Sequence, residues 1–214
     1  VSPASELFRL MRFNLKFISK GESNQVIMVT SSKQGEGKTF ISINLAASLA
    51  IMGKKVVVLG FDLRAPKLMK DIGLKYTHGI TDYVVDNTLD VNSIIIPYTD
   101  IDNLYFIGSG TIPPNPGELM LSDRVGELIR TLKNEYDYII LDTPPIGKVA
   151  DAFSLRTYVD YTLYVVRSNY TNKSDIKIIN EITANKKLDS LMIVLNDLKI
   201  DKYGEYSYGY GAKK

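Results

Sequence analysis

The stretch SSKQGEGKTF, Ser31 to Phe40, follows the apolar run QVIMVT (Gln25 to Thr30) and leads into a helical pattern from Thr39 to Met52. An apolar strand, a glycine-rich loop and a helix, in that order, form the context of the phosphate-loop pattern G-x-x-x-x-G-K-[ST]. From Ser32 to Thr39 the pattern is met with one departure, Ser32 at the first glycine position. Gly35 and Gly37 let successive backbone N–H groups face an anion, and a helix beginning near Lys38 adds its positive end. In this pattern Lys38 reaches the β and γ phosphates of a nucleotide and Thr39 offers a hydroxyl to Mg²⁺. The candidate cofactor-binding residues are therefore Gly35, Glu36, Gly37, Lys38, Thr39 and Phe40. A glycine-rich surface turn has similar composition, but it lacks a buried-type strand before it and a helix after it.

Outward from this loop, short runs rich in Val, Ile and Tyr recur at Lys55 to Gly60, Asn103 to Gly108, Tyr136 to Asp142, Tyr161 to Val166 and Leu191 to Asn196. They show little polar alternation, as strands do when both faces of a sheet are covered. Helical patterns at Gly117 to Asn134 and Ser174 to Lys187 fill the gaps. Alternation of strand and helix predicts an α/β fold, a mostly parallel P-loop NTPase sheet flanked by helices, with ligand at the carboxyl ends of the strands. Ahead of it, SPASELFRLMRFNLKFI has Pro3 near a helix start and apolar spacing through Leu7, Leu10, Met11, Leu15 and Ile18. After it, YGEYSYGYGAKK has no apolar periodicity and reads as a flexible, tyrosine-rich tail. The expected division is a P-loop domain over 1–200 and the tail over 201–214.

A bound Mg²⁺ needs an acid. YDYIILDTPP delivers Asp142 to the carboxyl edge of the sheet directly after four apolar residues. VVVLGFDLRAP sets Asp62 two residues past the end of its strand, where taken alone it also reads as a turn residue or helix cap. The metal candidates are Thr39, Asp62 and Asp142, and the catalytic candidates Lys38, Asp62 and Asp142.

Bulk properties narrow the partners. The chain has 214 residues, 45% hydrophobic and 23% charged, with a formal charge of +2. That charge is too mild, and the lysines too scattered, for a nucleic-acid footprint. With no cysteine and the single histidine His78, neither disulfides nor a Cys/His metal site can be assembled. The absence of cysteine fits a reducing, cytosolic-side location. No apolar run approaches the ~18 residues of a spanning helix. A start at Val1 reads as a piece of a longer protein, whose upstream part could carry an anchor.

Together these motifs resemble the catalytic domain of bacterial tyrosine kinases, the cytoplasmic part of capsule and exopolysaccharide co-polymerase systems. SSKQGEGKT is similar to the family's Walker A, VVVLGFDLRAP to its Walker A′, YIILDTPP to its Walker B, and GSGTIPPNPGELM (Gly108 to Met120) to a further family stretch. Glu6, Arg9 and Arg12 match its E-x-x-R-x-x-R oligomerisation pattern, making residues 1–20 an oligomerisation helix. The resemblance implies an ATP- and Mg²⁺-dependent kinase that phosphorylates the tail tyrosines Tyr203, Tyr206, Tyr208 and Tyr210 of a neighbouring copy. It also implies a homo-oligomeric ring, a membrane activator segment in the same chain or a partner, a phosphotyrosine phosphatase, and residence at the cytoplasmic face of the membrane. Walker A′ usually carries two aspartates, and here Gly60 stands in place of the first, which leaves Asp62 to face the hydroxyl.

Four of fourteen tyrosines fall between Tyr203 and Tyr210, too clustered for an even distribution. Aromatic tails also stack on single-stranded nucleic acid, but this one lacks the basic residues such stacking needs. On its own, the Glu6, Arg9, Arg12 stripe also reads as a solvated, ion-paired helix face. Two other functions remain in view. One is a deviant-Walker partition-type ATPase, in which Lys33 would cross a dimer to the partner's nucleotide. The other is a nucleotide-gated scaffold without phosphotransfer, a reading that Gly60 favours. Tyr98, Tyr105, Tyr136, Tyr138, Tyr158, Tyr161 and Tyr164 read as packing residues.

Overall fold

The computed structural model describes residues 3–18, 24–146, 150–185, 187–188 and 190–198. The tail, with Tyr203, Tyr206, Tyr208 and Tyr210, lies outside the described residues. The strands are β1 (Gln25–Ser31), β2 (Val56–Gly60), β3 (Ile96–Pro97), β4 (Leu104–Ile107), β5 (Tyr138–Asp142), β6 (Tyr161–Arg167) and β7 (Leu191–Asn196). They form one sheet in the order β3-β4-β2-β5-β1-β6-β7. Every pairing is parallel except that of β3 with β4. The helices are α1 (Pro3–Ile18), α2 (Lys38–Ala50), α3 (Leu68–Asp71), α4 (Ile80–Val85), α5 (Pro116–Met120), α6 (Asp123–Lys133) and α7 (Lys173–Ala184).

The apolar runs become interior strands because helices cover both of their faces. Ile27, Val29, Val56, Val58 and Ile140 point to the side packed by α1, α2 and α3. Val26, Val57, Leu59, Ile139 and Leu141 point to the other side, beneath α4 and α6, where Met28 and Tyr164 also meet α7. From β1 the chain passes to β2 on one side of the sheet, and from β5 it crosses to β6 on the other. The order thus reverses at β1, and an α/β sheet opens its ligand crevice at the carboxyl ends of strands at such a point. The SSKQGEGKT loop leaves β1 there.

Three differences from the sequence pattern have physical causes. The edge strand β7 alternates rather than being buried throughout, with Ile193 and Leu195 60% and 50% exposed, because it pairs only with β6 among the described strands. The single helical pattern from Gly117 to Asn134 is two helices. Leu121 breaks it, and the Ser122 hydroxyl accepts the Arg124 N–H to start α6. In α1 the inward residues are Phe8, Met11 and Leu15, while Leu7, Leu10 and Phe13 are exposed. The side chain of Ile18 lies outside those described. The tyrosines read as packing residues do pack: Tyr105 meets Tyr136 edge to face at 5.4 Å, and Tyr164 is fully buried.

The charged stripe of α1 is divided by this packing. Arg9 and Glu6 form an exposed ion pair at 3.2 Å. Arg12 turns inward, donating to the Ser48 carbonyl at 2.6 Å and the Ser48 hydroxyl at 2.9 Å on α2. Charge-assisted hydrogen bonds of this kind contribute about 1.5–3 kcal/mol, whereas an exposed helix pair contributes about 0.3–0.5 kcal/mol. Arg12→Met is therefore expected to lower unfolding stability by that larger amount in chemical denaturation, and Arg9→Met to leave it nearly unaltered. Equal losses would contradict the assignment of Arg12 as the clasp between α1 and α2.

Candidate nucleotide site

The loop between β1 and α2 bends through left-handed backbone at Gly35 (φ 88°) and Gly37 (φ 100°), a conformation that favours glycine. A methyl group at Gly37 would also stand 2.1 Å from the Asn196 amide nitrogen. The backbone then enters α2 at Lys38, so the free N–H groups of its first turn face the crevice. Ser32, at the first glycine position of the motif, is buried and its hydroxyl accepts from the Tyr164 phenol at 3.0 Å. That departure is thus absorbed by packing behind the loop.

Three side chains read from the motifs converge. Parallel register sets Asp142 beside Val29 of β1 and Gly60 of β2. Its carboxylate accepts from the Thr39 hydroxyl at 2.7 Å and faces the Ser42 hydroxyl at 3.4 Å. Burial pushes the Asp142 carboxyl up to about 6, opposed by the Thr39 hydrogen bond and the Lys38 charge and assisted by the Asp62 charge. Lys38 is buried too, and loss of water lowers its ammonium below the ordinary lysine range, while Asp142, Asp62 and Glu36 draw it back up. Asp62 is half-buried and lines the same cleft of about 210 Å³. One of its oxygens accepts the Ala65 N–H at 3.1 Å, so it also serves as the turn residue that its position suggested.

The remaining candidates take more specific places. Glu36 is buried, and its carboxylate accepts the Lys33 N–H at 2.8 Å and the Thr171 hydroxyl. Phe40 is 52% exposed at the cleft, its ring 6.1 Å from that of Phe8. Lys33 is tied within its own chain: its ammonium meets Asp175 at 2.8 Å and lies 4.7 Å from the Tyr170 ring centre. At Gly60, a side chain would meet the Ser109 hydroxyl at 3.1 Å and Leu68 at 3.4 Å. Ser109 donates to the Gly60 carbonyl at 2.6 Å, so a side chain at position 60 would need the Ser109 hydroxyl to give way by a few tenths of an ångström.

Some site residues lie outside the motifs. Ser42 is buried on the inward face of α2 one turn after Thr39, and a polar residue at that spacing is the only sequence signal it gives. Lys67, at the start of α3, adds a second cation to the cleft. Arg167, Tyr170 and Asn196 follow or end β6 and β7 and donate to the carbonyls of Gly35, Gln34 and Glu36 at 2.9, 2.8 and 3.0 Å. Their only trace in sequence is that polar residues stand at the carboxyl ends of strands.

These residues fit a nucleotide phosphate chain with Mg²⁺. The donors are backbone N–H groups at a helix start and a buried ammonium, suited to anions. The hard-oxygen set of Thr39, Asp142 and Asp62 suits Mg²⁺, which binds through one or two carboxylates together with phosphates and water. Among the described residues there is no cluster of three or more His, Cys, Asp or Glu that could hold a metal.

The AAA domain family matches residues 24–193. The chain is 35% identical over 209 residues to tyrosine-protein kinase YwqD of Bacillus subtilis, covering 98% of this chain and 87% of that protein. It is 34% identical over 219 residues to tyrosine-protein kinase CpsD of Streptococcus pneumoniae, covering 100% of this chain and 94% of that one. Its structure superimposes on the kinase domain of the Escherichia coli tyrosine kinase ETK with a TM-score of 0.86 and 28% identity, over 98% of this chain and 82% of that one. The septum site-determining protein MinD of Pyrococcus horikoshii, complexed with Mg-ADP, shares the fold at a TM-score of 0.65 and 23% identity, over 80% of this chain and 69% of that one.

The raised Asp142 carboxyl gives the site a pH signature. Between its ordinary 3.8 and about 6, the folded chain holds a proton that the unfolded chain has released. Its contribution to unfolding stability therefore falls as pH rises through that window. In denaturation of the nucleotide-free protein, Asp142→Asn is expected to flatten the decline between about pH 4 and 6. An unaltered slope would place the carboxylate in water rather than in the protein.

Proposed function

This chain belongs to the bacterial tyrosine kinases within the AAA domain family, and on that premise we propose that it transfers phosphate from ATP to tyrosine. We propose as acceptors Tyr203, Tyr206, Tyr208 and Tyr210 in the tail of an adjacent copy. The observation that carries the reading is the convergence of buried Lys38 and Asp142 with half-buried Thr39 at the carboxyl edge of β1 and β5, with Asp62 across the same cleft. Bound ATP would supply the phosphoryl group. Lys38 would neutralise phosphate charge, and Thr39, Asp142 and Asp62 would hold Mg²⁺. Asp62, on the open side of the cleft, would take the phenol proton in the absence of an acid at position 60. A phenol has an ordinary pKa near ~10, and phosphoryl transfer asks mainly for positioning and charge neutralisation. One acid can therefore serve.

The same reading extends to assembly. Glu6 and Arg9 are exposed on α1 beside Leu7, Leu10 and Phe13, a mixed surface suited to a neighbouring subunit, while Arg12 fixes the helix that presents it. We propose a closed head-to-tail ring in which each tail enters the next subunit's cleft. Each phosphate would add about −1.5 to −2 charge, ejecting the tail and loosening the ring, and a phosphotyrosine phosphatase would reset it. No described helix is long and apolar enough to cross a membrane. We place the domain at the cytoplasmic face, stimulated by a membrane segment in the same chain or in a partner, where it regulates capsule or exopolysaccharide assembly. Support for both arrangements comes from the relatives. The chain spans 94% of CpsD, whereas the ETK structure is that of a kinase domain alone.

Lys33 weighs against the partition-type ATPase. To reach a partner's nucleotide it would have to give up Asp175, whose pairing raises its ammonium.

Incubation with Mg·ATP is expected to increase the intact mass by whole phosphate units located on Tyr203 to Tyr210, and Lys38→Met to abolish the increase. Asp62→Asn is expected to slow transfer by about 10²–10⁴-fold, the usual worth of a positioned proton acceptor, with ADP still bound. Release of free phosphate without labelled tyrosine would falsify the kinase reading. Arg9→Glu is expected to reduce the assembly's mass in light scattering, and an unchanged mass would remove α1 from the subunit contact.

A further inference from the structure

We infer that Arg167, Tyr170 and Asn196 form a strap that pre-sets the phosphate loop for nucleotide, making them positioning residues for the transfer proposed above. The inference rests on the nucleotide-binding part of that reading and not on the identity of the acceptor. Three consecutive loop carbonyls are taken by side chains from outside the loop. The Tyr170 phenol donates to the Gln34 carbonyl at 2.8 Å, the Arg167 guanidinium to the Gly35 carbonyl at 2.9 Å, and the Asn196 amide to the Glu36 carbonyl at 3.0 Å. A planar trans peptide directs its N–H opposite to its C=O. Holding these carbonyls outward therefore turns the N–H groups of Gly35, Glu36 and Gly37 the other way, toward the side on which an anion is bound.

The strap is itself braced. Asp197 accepts from the Arg167 Nε at 3.0 Å, and the guanidinium lies 5.2 Å from the Tyr170 ring centre. Thr171, next to Tyr170, donates to the buried Glu36 carboxylate and accepts the Arg167 N–H at 2.9 Å. The glycines of the loop also acquire a second reason. A methyl at Gly35 would stand 2.9 Å from the Tyr170 hydroxyl, and one at Gly37 would stand 2.1 Å from the Asn196 amide nitrogen. Both therefore admit the strap as well as supplying left-handed backbone.

A glycine-rich loop loses more conformational freedom on ordering than other segments. If that ordering is done on folding, binding does not bear it, and affinity for the phosphates rises. Arg167, Tyr170 and Asn196 come from more than a hundred residues along the chain, so the loop's readiness depends on the sheet's carboxyl edge at β6 and β7.

The test measures Mg·ADP binding by calorimetry on the full chain, with Tyr170→Phe, Asn196→Ala and the double variant. Loss of one neutral hydrogen bond corresponds to about a 2- to 10-fold change. Each single variant is expected to raise Kd by about that factor, the double by at least the product, and KM for ATP to rise by more than kcat falls. Tyr170→Phe removes only a hydroxyl from a 42% exposed ring, so it decides the matter alone if Asn196→Ala fails to fold. If the parent binds Mg·ADP and Tyr170→Phe binds it equally well, the strap is wrong and the kinase reading is untouched. If Kd depends on the strap in a protein that labels no tyrosine, the strap stands and the kinase reading falls. A parent that binds no Mg·ADP overturns both.

Discussion

Two opposite charges withdrawn from water at the start of α2 govern the rest of the molecule. Lys38 and Asp142 are both buried, and burial drives each toward its neutral form, the ammonium downward and the carboxyl up to about 6. Interior charges persist only where partners and hydrogen bonds replace the lost water. Here the Thr39 hydroxyl and the mutual attraction of the pair do part of that, and a phosphate chain with its divalent cation would do the remainder. The same pair that is costly in isolation becomes complementary once an anion meets the ammonium and a cation meets the carboxylate. Strand register makes this possible, because parallel pairing of β1, β2 and β5 brings Val29, Gly60 and Asp142 level at one edge.

Around that pair the loop is held from behind. Ser32 and Glu36, which depart from or lie between the motif's signature positions, are buried and hydrogen-bonded to Tyr164, Lys33 and Thr171. The loop is therefore an integral part of the sheet's edge rather than a flexible flap. With Gly60 packed closely against Ser109 and Leu68, Asp62 and Asp142 are the carboxylates that the two strands offer. Such a site suits chemistry that needs charge neutralisation more than a strong base.

Along α2, Arg12 binds Ser48 near the far end and Phe8 packs against Phe40 in the first turn. The amino-terminal helix is thus coupled to the helix that carries Lys38 and Thr39. A neighbouring subunit that engaged the exposed face of α1 would press on an element in direct contact with the site. This coupling is local packing, carried by named side chains, and asks for no longer pathway.

The sequence by itself determined the six main strands, the helices α1, α2 and α7, the phosphate loop, and the delivery of Lys38, Thr39, Asp62 and Asp142 to one edge, but not the short elements β3, α3 and α4 or the division of α5 from α6. Each of these signals is local: an apolar run, a glycine spacing, or a charged residue at a strand's end. Tertiary structure alone decided which residues support them. Ser42, Ser109, Arg167, Tyr170 and Asn196 reach the site across tens to more than a hundred residues of chain, and no periodicity reports a contact of that span. It also divided Glu6, Arg9 and Arg12 between solvent and a helix clasp, and tied Lys33 to Asp175. A spacing of three residues places side chains on one side of a helix, but only the neighbouring surfaces determine which of them remain in water.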